Sequence, residues 1–155
     1  MVKQWMAAML LAVNLSGCGY NTMQSQDEAA NAAWSKVLNQ YQRRAELVPN
    51  LVATVQGYAK HEKEVLTEVT EARAKVASVQ LTGDTATNEQ QLKAFSDAQA
   101  GLTSALSKLM VVVEKYPELK ANANFLDLQK QLEGTENRIA VARSDYIESV
   151  QTYNT

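Results

Sequence analysis

From Leu92 to Tyr116 the chain repeats one interval with little deviation. Leu92, Phe95, Gln99, Leu102, Leu106, Leu109, Val113 and Tyr116 are separated by steps of 3, 4, 3, 4, 3, 4 and 3. That is a heptad, and only a helix turns it into a single buried seam. A strand would require alternation with period two. Gln99 is the one polar member of the seam. A lone helix has nothing to bury such a stripe against, so the rest of the chain must supply partners of comparable length.

Three further segments carry helical periodicity. From Ala29 to Val48 the stripe is Ala30, Ala33, Val37, Tyr41, Ala45 and Val48, widened by Trp34 and Leu38. Pro49 follows, and proline is tolerated in the first turn of a helix but not in its interior. We read it as a turn that starts a second helix, with a kink as the alternative, because the segments on either side each carry enough apolar surface for their own layer. The second stripe is Leu51, Val52, Val55, Tyr58, Ala59, Val65, Leu66, Val69, Ala72, Val76 and Val79. Leu81 to Asn88, with Gly83-Asp84 inside it, is a turn by composition. Asn88 stands three residues before Gln91, the spacing of a capping box at the start of the heptad helix. Pro117 ends that helix, and Glu118 to Asn124 forms a second turn or a distorted helix start. The last stripe is Phe125, Leu128, Leu132, Thr135, Ile139, Ala142, Tyr146, Val150 and Tyr153, with Gly134 inside it. A mid-helix glycine costs about 1 kcal/mol against alanine, so a close approach by a neighbouring group is expected there. The expected fold is all-α, a long antiparallel up-down four-helix bundle.

Residues 1–18 have a different character. Lys3 precedes an almost wholly apolar run from Trp5 to Leu15, about half the roughly 20 residues that a membrane-spanning helix needs. These are the proportions of a secretory signal. Leu15-Ser16-Gly17-Cys18 resembles a bacterial lipobox, and Cys18 is the single cysteine of the chain. Small residues fit a signal-peptidase cleft, and only a thiol can form the diacylglycerol thioether. More than one acyl chain on Cys18 gives stable anchoring. The alternatives are a plain signal peptide or an N-terminal membrane anchor. The expected organisation is a signal peptide at 1–17, a lipidated tether at 18–24 and a helical domain at 25–155. Gly19 and Tyr20 follow the cysteine with no aspartate beside it. By resemblance to Gram-negative lipoproteins, that favours the periplasmic face of an outer membrane, or the cell membrane where the host has no outer one.

Several function classes are disfavoured. Fifteen Lys and Arg against seventeen Asp and Glu leave a net charge of −2, without the basic balance of a nucleic-acid binder. One cysteine makes neither an internal disulfide nor a cysteine zinc site. His61, Glu64 and Glu68 share a helix face, but a helical metalloprotease site needs two histidines and the chain has one. Neither a phosphate-binding loop nor a dinucleotide fingerprint is present, and no serine, histidine or thiol forms a nucleophilic constellation. The expectation is a chain that is not an enzyme and holds no metal or cofactor.

The polar residues nearest the apolar stripes are more informative. Arg43 and Arg44 precede Glu46 near the end of the first stripe, while Gln129, Glu133, Glu136 and Arg143 line the border of the last, flanked by Asn137 and Arg138. Charges on a buried border must be paired. Glu133 or Glu136 is expected to meet Arg43 or Arg44 across the bundle, the alternative being a solvated face.

Gln42 to Glu62 (QRRAELVPNLVATVQGYAKHE) and Ala121 to Ala142 (ANANFLDLQKQLEGTENRIAVA), with Thr70 to Lys75 and Tyr20-Asn21, strongly resemble the LemA family. The resemblance runs from about Tyr20 to the end of the chain. It implies an extracytoplasmic antiparallel helical domain tethered to a bacterial membrane. The family's characteristic positions fall on Arg43, Arg44, Glu46, Pro49, Asn50 and Glu62, and later on Leu132, Glu133, Gly134, Thr135, Glu136, Asn137, Arg138 and Arg143. The polar members imply a structural network or an interaction surface, with Asn50 helping to hold the Pro49 corner. Most members look to have a transmembrane anchor where this chain has its lipobox. Their last helix runs on past the equivalent of Tyr153-Asn154 into a basic, apolar tail, whereas this chain stops at Thr155. The class implied is an envelope scaffold or adaptor that contacts the membrane through Cys18 and another envelope protein through its helices. A self-associating structural lipoprotein is the first alternative, and a small-ligand binder or enzyme the second.

Overall fold

The computed structural model describes residues 17–79 and 88–154, with side chains from Thr22 onward. The described residues form helices and no strands. These are α1 (Gly17–Tyr58), α2 (Lys63–Ser78), α3 (Glu89–Val113), α4 (Pro117–Lys120) and α5 (Ala123–Tyr153). The apolar run of residues 1–16 and the turn at 80–87 lie outside the described residues, as does the side chain of Cys18.

The all-α class is as expected, but the helices are divided differently. Pro49 does not mark a turn: it lies inside α1, a helix of 42 residues. A proline at this position has no N–H for the carbonyl four residues earlier, that of Ala45. The Ala45 carbonyl instead accepts a hydrogen bond from Arg73 Nε on α2, at 3.0 Å. With that acceptor satisfied from outside, the helix continues and Val48, Leu51 and Val55 stay on its buried face.

The break comes ten residues later, inside what reads as one continuous stripe. α1 ends at Tyr58 and α2 starts at Lys63. Lys60 to Glu64 are five consecutive polar residues, so a continuing helix would have had little to bury there. Ala59 is fully buried at the corner, and its carbonyl accepts from Glu62 N at 3.1 Å. Side chains reinforce the corner from the other end of the sequence. Tyr116 Oη donates to Glu62 at 3.1 Å, and Asn122 Nδ2 donates to the Tyr58 hydroxyl at 2.9 Å.

Asn88 caps α3, its side-chain oxygen accepting from Gln91 N at 3.1 Å. α3 stops at Val113, three residues short of the heptad's last member. The residue before a proline avoids the helical region, and Tyr116 sits at φ −122°, ψ 85°. Pro117 then opens the single turn of α4, so the expected turn is partly helical. Asn122 caps the next helix by accepting from Phe125 N at 3.0 Å. The expected count of four helices thus becomes five.

The described residues divide into two compact units, one within residues 38–140 and the other made of residues 17–37 with 141–154. In the first, Val48, Leu51 and Val55 of α1, Leu66 and Val69 of α2, Leu102, Leu106 and Leu109 of α3, Leu119 of α4 and Phe125 and Leu132 of α5 form one core. Lys108 on α3 and Glu68 on α2 form an ion pair at 2.5 Å over the α2–α3 contact. In the second, Ala33, Trp34, Val37 and Ala142 are buried, and the Trp34 and Tyr146 rings lie 5.1 Å apart at 48°.

Candidate functional site

The most distinctive chemistry in the 38–140 unit is a buried arginine. On α1 the inward face runs Tyr41, Arg44, Val48, Leu51, Val55, with helical steps of 3 and 4. Arg44 occupies a core position in this series and is 1% exposed. Burying an isolated guanidinium is strongly unfavourable, so its donors need acceptors. Nη2 donates to the Gln99 side-chain oxygen at 2.5 Å and to the Gln99 main-chain carbonyl at 3.2 Å. Nη1 donates to Glu136 Oε1 at 2.7 Å and to Thr103 Oγ1 at 2.9 Å. The Thr103 hydroxyl in turn donates to the Gln99 carbonyl at 3.0 Å. The guanidinium carbon lies 5.2 Å from the centre of the Tyr41 ring, a cation–π distance. Tyr41 itself meets Phe95 edge-on at 5.1 Å and 88°.

Three helices therefore converge on one cation: α1 with Tyr41 and Arg44, α3 with Phe95, Gln99 and Thr103, and α5 with Glu136. The polar interruption of the heptad at Gln99 is explained, since that residue is buried because it accepts from Arg44. The pair is electrostatically lopsided. The Glu136 side chain is 42% exposed while that of Arg44 is 2% exposed. The carboxylate keeps much of its water, so the buried cation depends on the neutral acceptors and the ring as much as on its counter-charge. Among the described residues Arg44 Nε has no acceptor. The other guanidinium donors and the Thr103 hydroxyl are engaged within the fold, an arrangement that ties α1, α3 and α5 to one another.

Of the remaining site residues expected from sequence, Arg43, Glu46, Asn50, Glu133, Asn137, Arg138 and Arg143 are exposed. Glu46 accepts from Gln42 at 3.0 Å, and Glu133 accepts from Gln129 at 2.9 Å, each one turn away on its own helix. Asn50 does not hold a corner, because no corner exists at Pro49; its carbonyl accepts from the Thr54 hydroxyl at 2.8 Å. Arg138 makes a second link between α5 and α1. Its Nε donates to Gln40 at 2.9 Å and its Nη2 to the hydroxyl of Thr135, also at 2.9 Å. Gly134 lies against the same side chain: a Cβ there would stand 3.3 Å from Arg138 Nη1. The glycine leaves room for the arginine to fold back onto Thr135.

Gln99, Thr103 and Tyr41 were not among the expected site residues, and neither was Arg73. Gln99 had a visible signal in its place on an apolar stripe. Arg73 had an indirect one, because a proline inside a helix leaves a carbonyl in need of a donor. At the α1–α2 corner, half-burial first, and then the hydrogen bond to Glu62 and its charge, raise the Tyr116 phenol above the ordinary value of 10.0. His61 lies in the corner between α1 and α2, outside either helix, so it does not share the expected helix face with Glu64 and Glu68, and Glu68 is engaged by Lys108. Among the described residues no three of His, Cys, Asp and Glu gather as metal ligands would. No described helix is long and apolar enough to cross a membrane.

The profile of the LemA family matches residues 33–155. Among similar proteins, magnetosome proteins MamQ 1 and MamQ 2 of Paramagnetospirillum magneticum (strain ATCC 700264 / AMB-1) are each 28% identical to this chain over 151 residues, covering 87% of it and 56% of the relative. Magnetosome protein MamQ of Magnetospirillum gryphiswaldense (strain DSM 6361 / JCM 21280 / NBRC 15271 / MSR-1) is 27% identical over 151 residues. The chain spans about half the length of these relatives.

Proposed function

The chain belongs to the LemA family, and from that premise we propose that it is a lipid-anchored, extracytoplasmic helical module that works by binding another envelope protein. One observation carries the reading: the polar residues that converge in the fold are engaged with one another. Arg44 is held by Gln99, Thr103 and Glu136, which suits a rigid module and leaves the exposed members of the two motifs available for recognition. The anchor is the sequence Leu15-Ser16-Gly17-Cys18, with lipid attached to the Cys18 thiol. Names of the relatives place those proteins at the magnetosome, and a membrane-tethered role for this chain is consistent with that. The domain is an up-down bundle in this reading, with α4 as a turn between longer helices.

The test is acyl labelling with in-cell cross-linking of the full chain, beside Cys18→Ser and Arg43→Ala/Glu133→Ala variants. Label lost in Cys18→Ser, together with one defined envelope partner lost in the surface variant, supports the reading. Persistent label in Cys18→Ser refutes the anchor. Recovery of self-cross-links alone refutes the adaptor role in favour of a self-associating structural lipoprotein.

A further inference from the structure

Where α1 ends and α2 begins, the two helices flank a concave groove of about 370 Å³. Leu66 and Val52 supply its apolar surface, with Thr67 on the α2 side. Lys60 and Lys63 line its corner end, and Glu71 lines it farther along α2. Eight residues separate Lys63 from Glu71, which on a helix is about 12 Å. Among the described residues neither lysine has a carboxylate within ion-pair distance, and Glu71 has no basic partner. The groove is therefore apolar in the middle, positive at one end and negative at the other, with these three charges unmatched among the described residues. Its openness does not suit a small ligand, which is normally enclosed over most of its surface. It suits the ridge of a helix, which offers apolar side chains one turn apart and charges at fixed intervals beyond them.

We propose that this groove docks an amphipathic helix of a partner protein. That helix carries an acidic residue opposite Lys60 and Lys63, two apolar residues one turn apart over Leu66 and Val52, and a basic residue about two turns from the acidic one, opposite Glu71. The order of charges fixes the direction in which the helix lies, because the reversed helix places like charges together at both ends. The proposal rests on the reading of the chain as an interaction module and specifies one surface of it.

The experiment pans the full chain against a phage-displayed library of helical peptides and then measures the selected peptides by fluorescence anisotropy. The comparison proteins are Lys60→Glu/Lys63→Glu and Glu71→Lys. All three residues are exposed, so the variants are expected to fold, and circular dichroism checks this. Selected peptides are expected to show the order acidic, apolar, apolar, basic. They are expected to bind the double lysine variant about tenfold more weakly or worse, and to recover when their acidic residue is changed to lysine. Peptides that bind both variants as tightly as the parent overturn the groove while leaving the interaction-module reading intact. Absence of any selected peptide also overturns it, and the in-cell cross-linking result then decides the broader reading separately. Self-association in sedimentation that the lysine variant abolishes assigns the groove to a second copy and overturns the partner-helix proposal.

Discussion

Arg44 and Gln99 can be removed separately or together, and the difference tests whether the buried network has been read correctly. Arg44→Met keeps much of the side-chain volume and removes the charge. It leaves the Gln99 side-chain oxygen, on a residue only 4% exposed, without its donor. A buried acceptor left unpaired costs about 1–3 kcal/mol. Glu136 adds little to this cost, because its half-exposed carboxylate returns to water. Gln99→Leu leaves the cation with Glu136, Thr103 and the Gln99 main-chain carbonyl, and a lost hydrogen bond to a charged group costs about 1.5–3 kcal/mol. The double variant places methionine against leucine with neither orphan, and replacing buried polar partners by apolar groups of similar volume is near neutral, within about 1 kcal/mol. The expected coupling is therefore about 2.5–6 kcal/mol in favour of the double variant, the sum of the two single costs less a near-zero cost for the pair. Urea denaturation followed by far-ultraviolet circular dichroism measures it, provided the m-value is constant across the set. Additivity to within about 0.5 kcal/mol would refute the network as an energetic unit.

Three further outcomes are expected. Arg73→Ala should destabilise by about 1–2 kcal/mol in the parent but by only a few tenths in a Pro49→Ala background, where a restored N–H satisfies Ala45; urea midpoints of the four proteins measure this. Asn88→Ala should lower stability by about 1 kcal/mol through loss of the α3 cap, seen as a shift of the urea midpoint. Folding raises the Tyr116 phenol above 10.0, so the folded state holds that proton longer and stability falls as pH climbs from about 10 through the folded value; the fall should be shallower in Tyr116→Phe, measured as urea midpoint against pH.

The sequence made the fold class and the start of α3 legible, because both depend on local chemistry. The heptad from Leu92 produced α3, and Asn88 and Pro117 mark its boundaries for the reasons their side chains suggest. The error at Pro49 came from judging a proline by its own helix. What decides the outcome is whether something else can satisfy the stranded carbonyl, and Arg73, distant in sequence, does so. The missed corner at Ala59 had a visible signal, five polar residues in succession, but it contained neither glycine nor proline and so did not resemble a turn. The network was half legible. The charges were noticed, and Glu136 does meet Arg44, but periodicity alone assigned Ala45 to the inward stripe where the structure buries Arg44.

That assignment separates the polar motif residues into two groups with different roles. Arg44 and Glu136 have their bonding partners on other helices within the 38–140 unit, and Arg138 with Thr135 ties α5 to Gln40 on α1. Stability and the arrangement of helices account for these residues without a binding partner. Arg43, Glu46, Asn50, Glu133 and Asn137 are exposed, and the side-chain bonds shown for Glu46 and Glu133 are local ones within a single turn, which contribute only a few tenths of a kcal/mol each. Folding gives little reason for those side chains to be polar in that particular pattern. Substituting the buried group should therefore change denaturation midpoints, while substituting the exposed group should change partner recovery at constant stability. A chain in which both groups behaved alike would have a purely structural motif and no recognition surface within it.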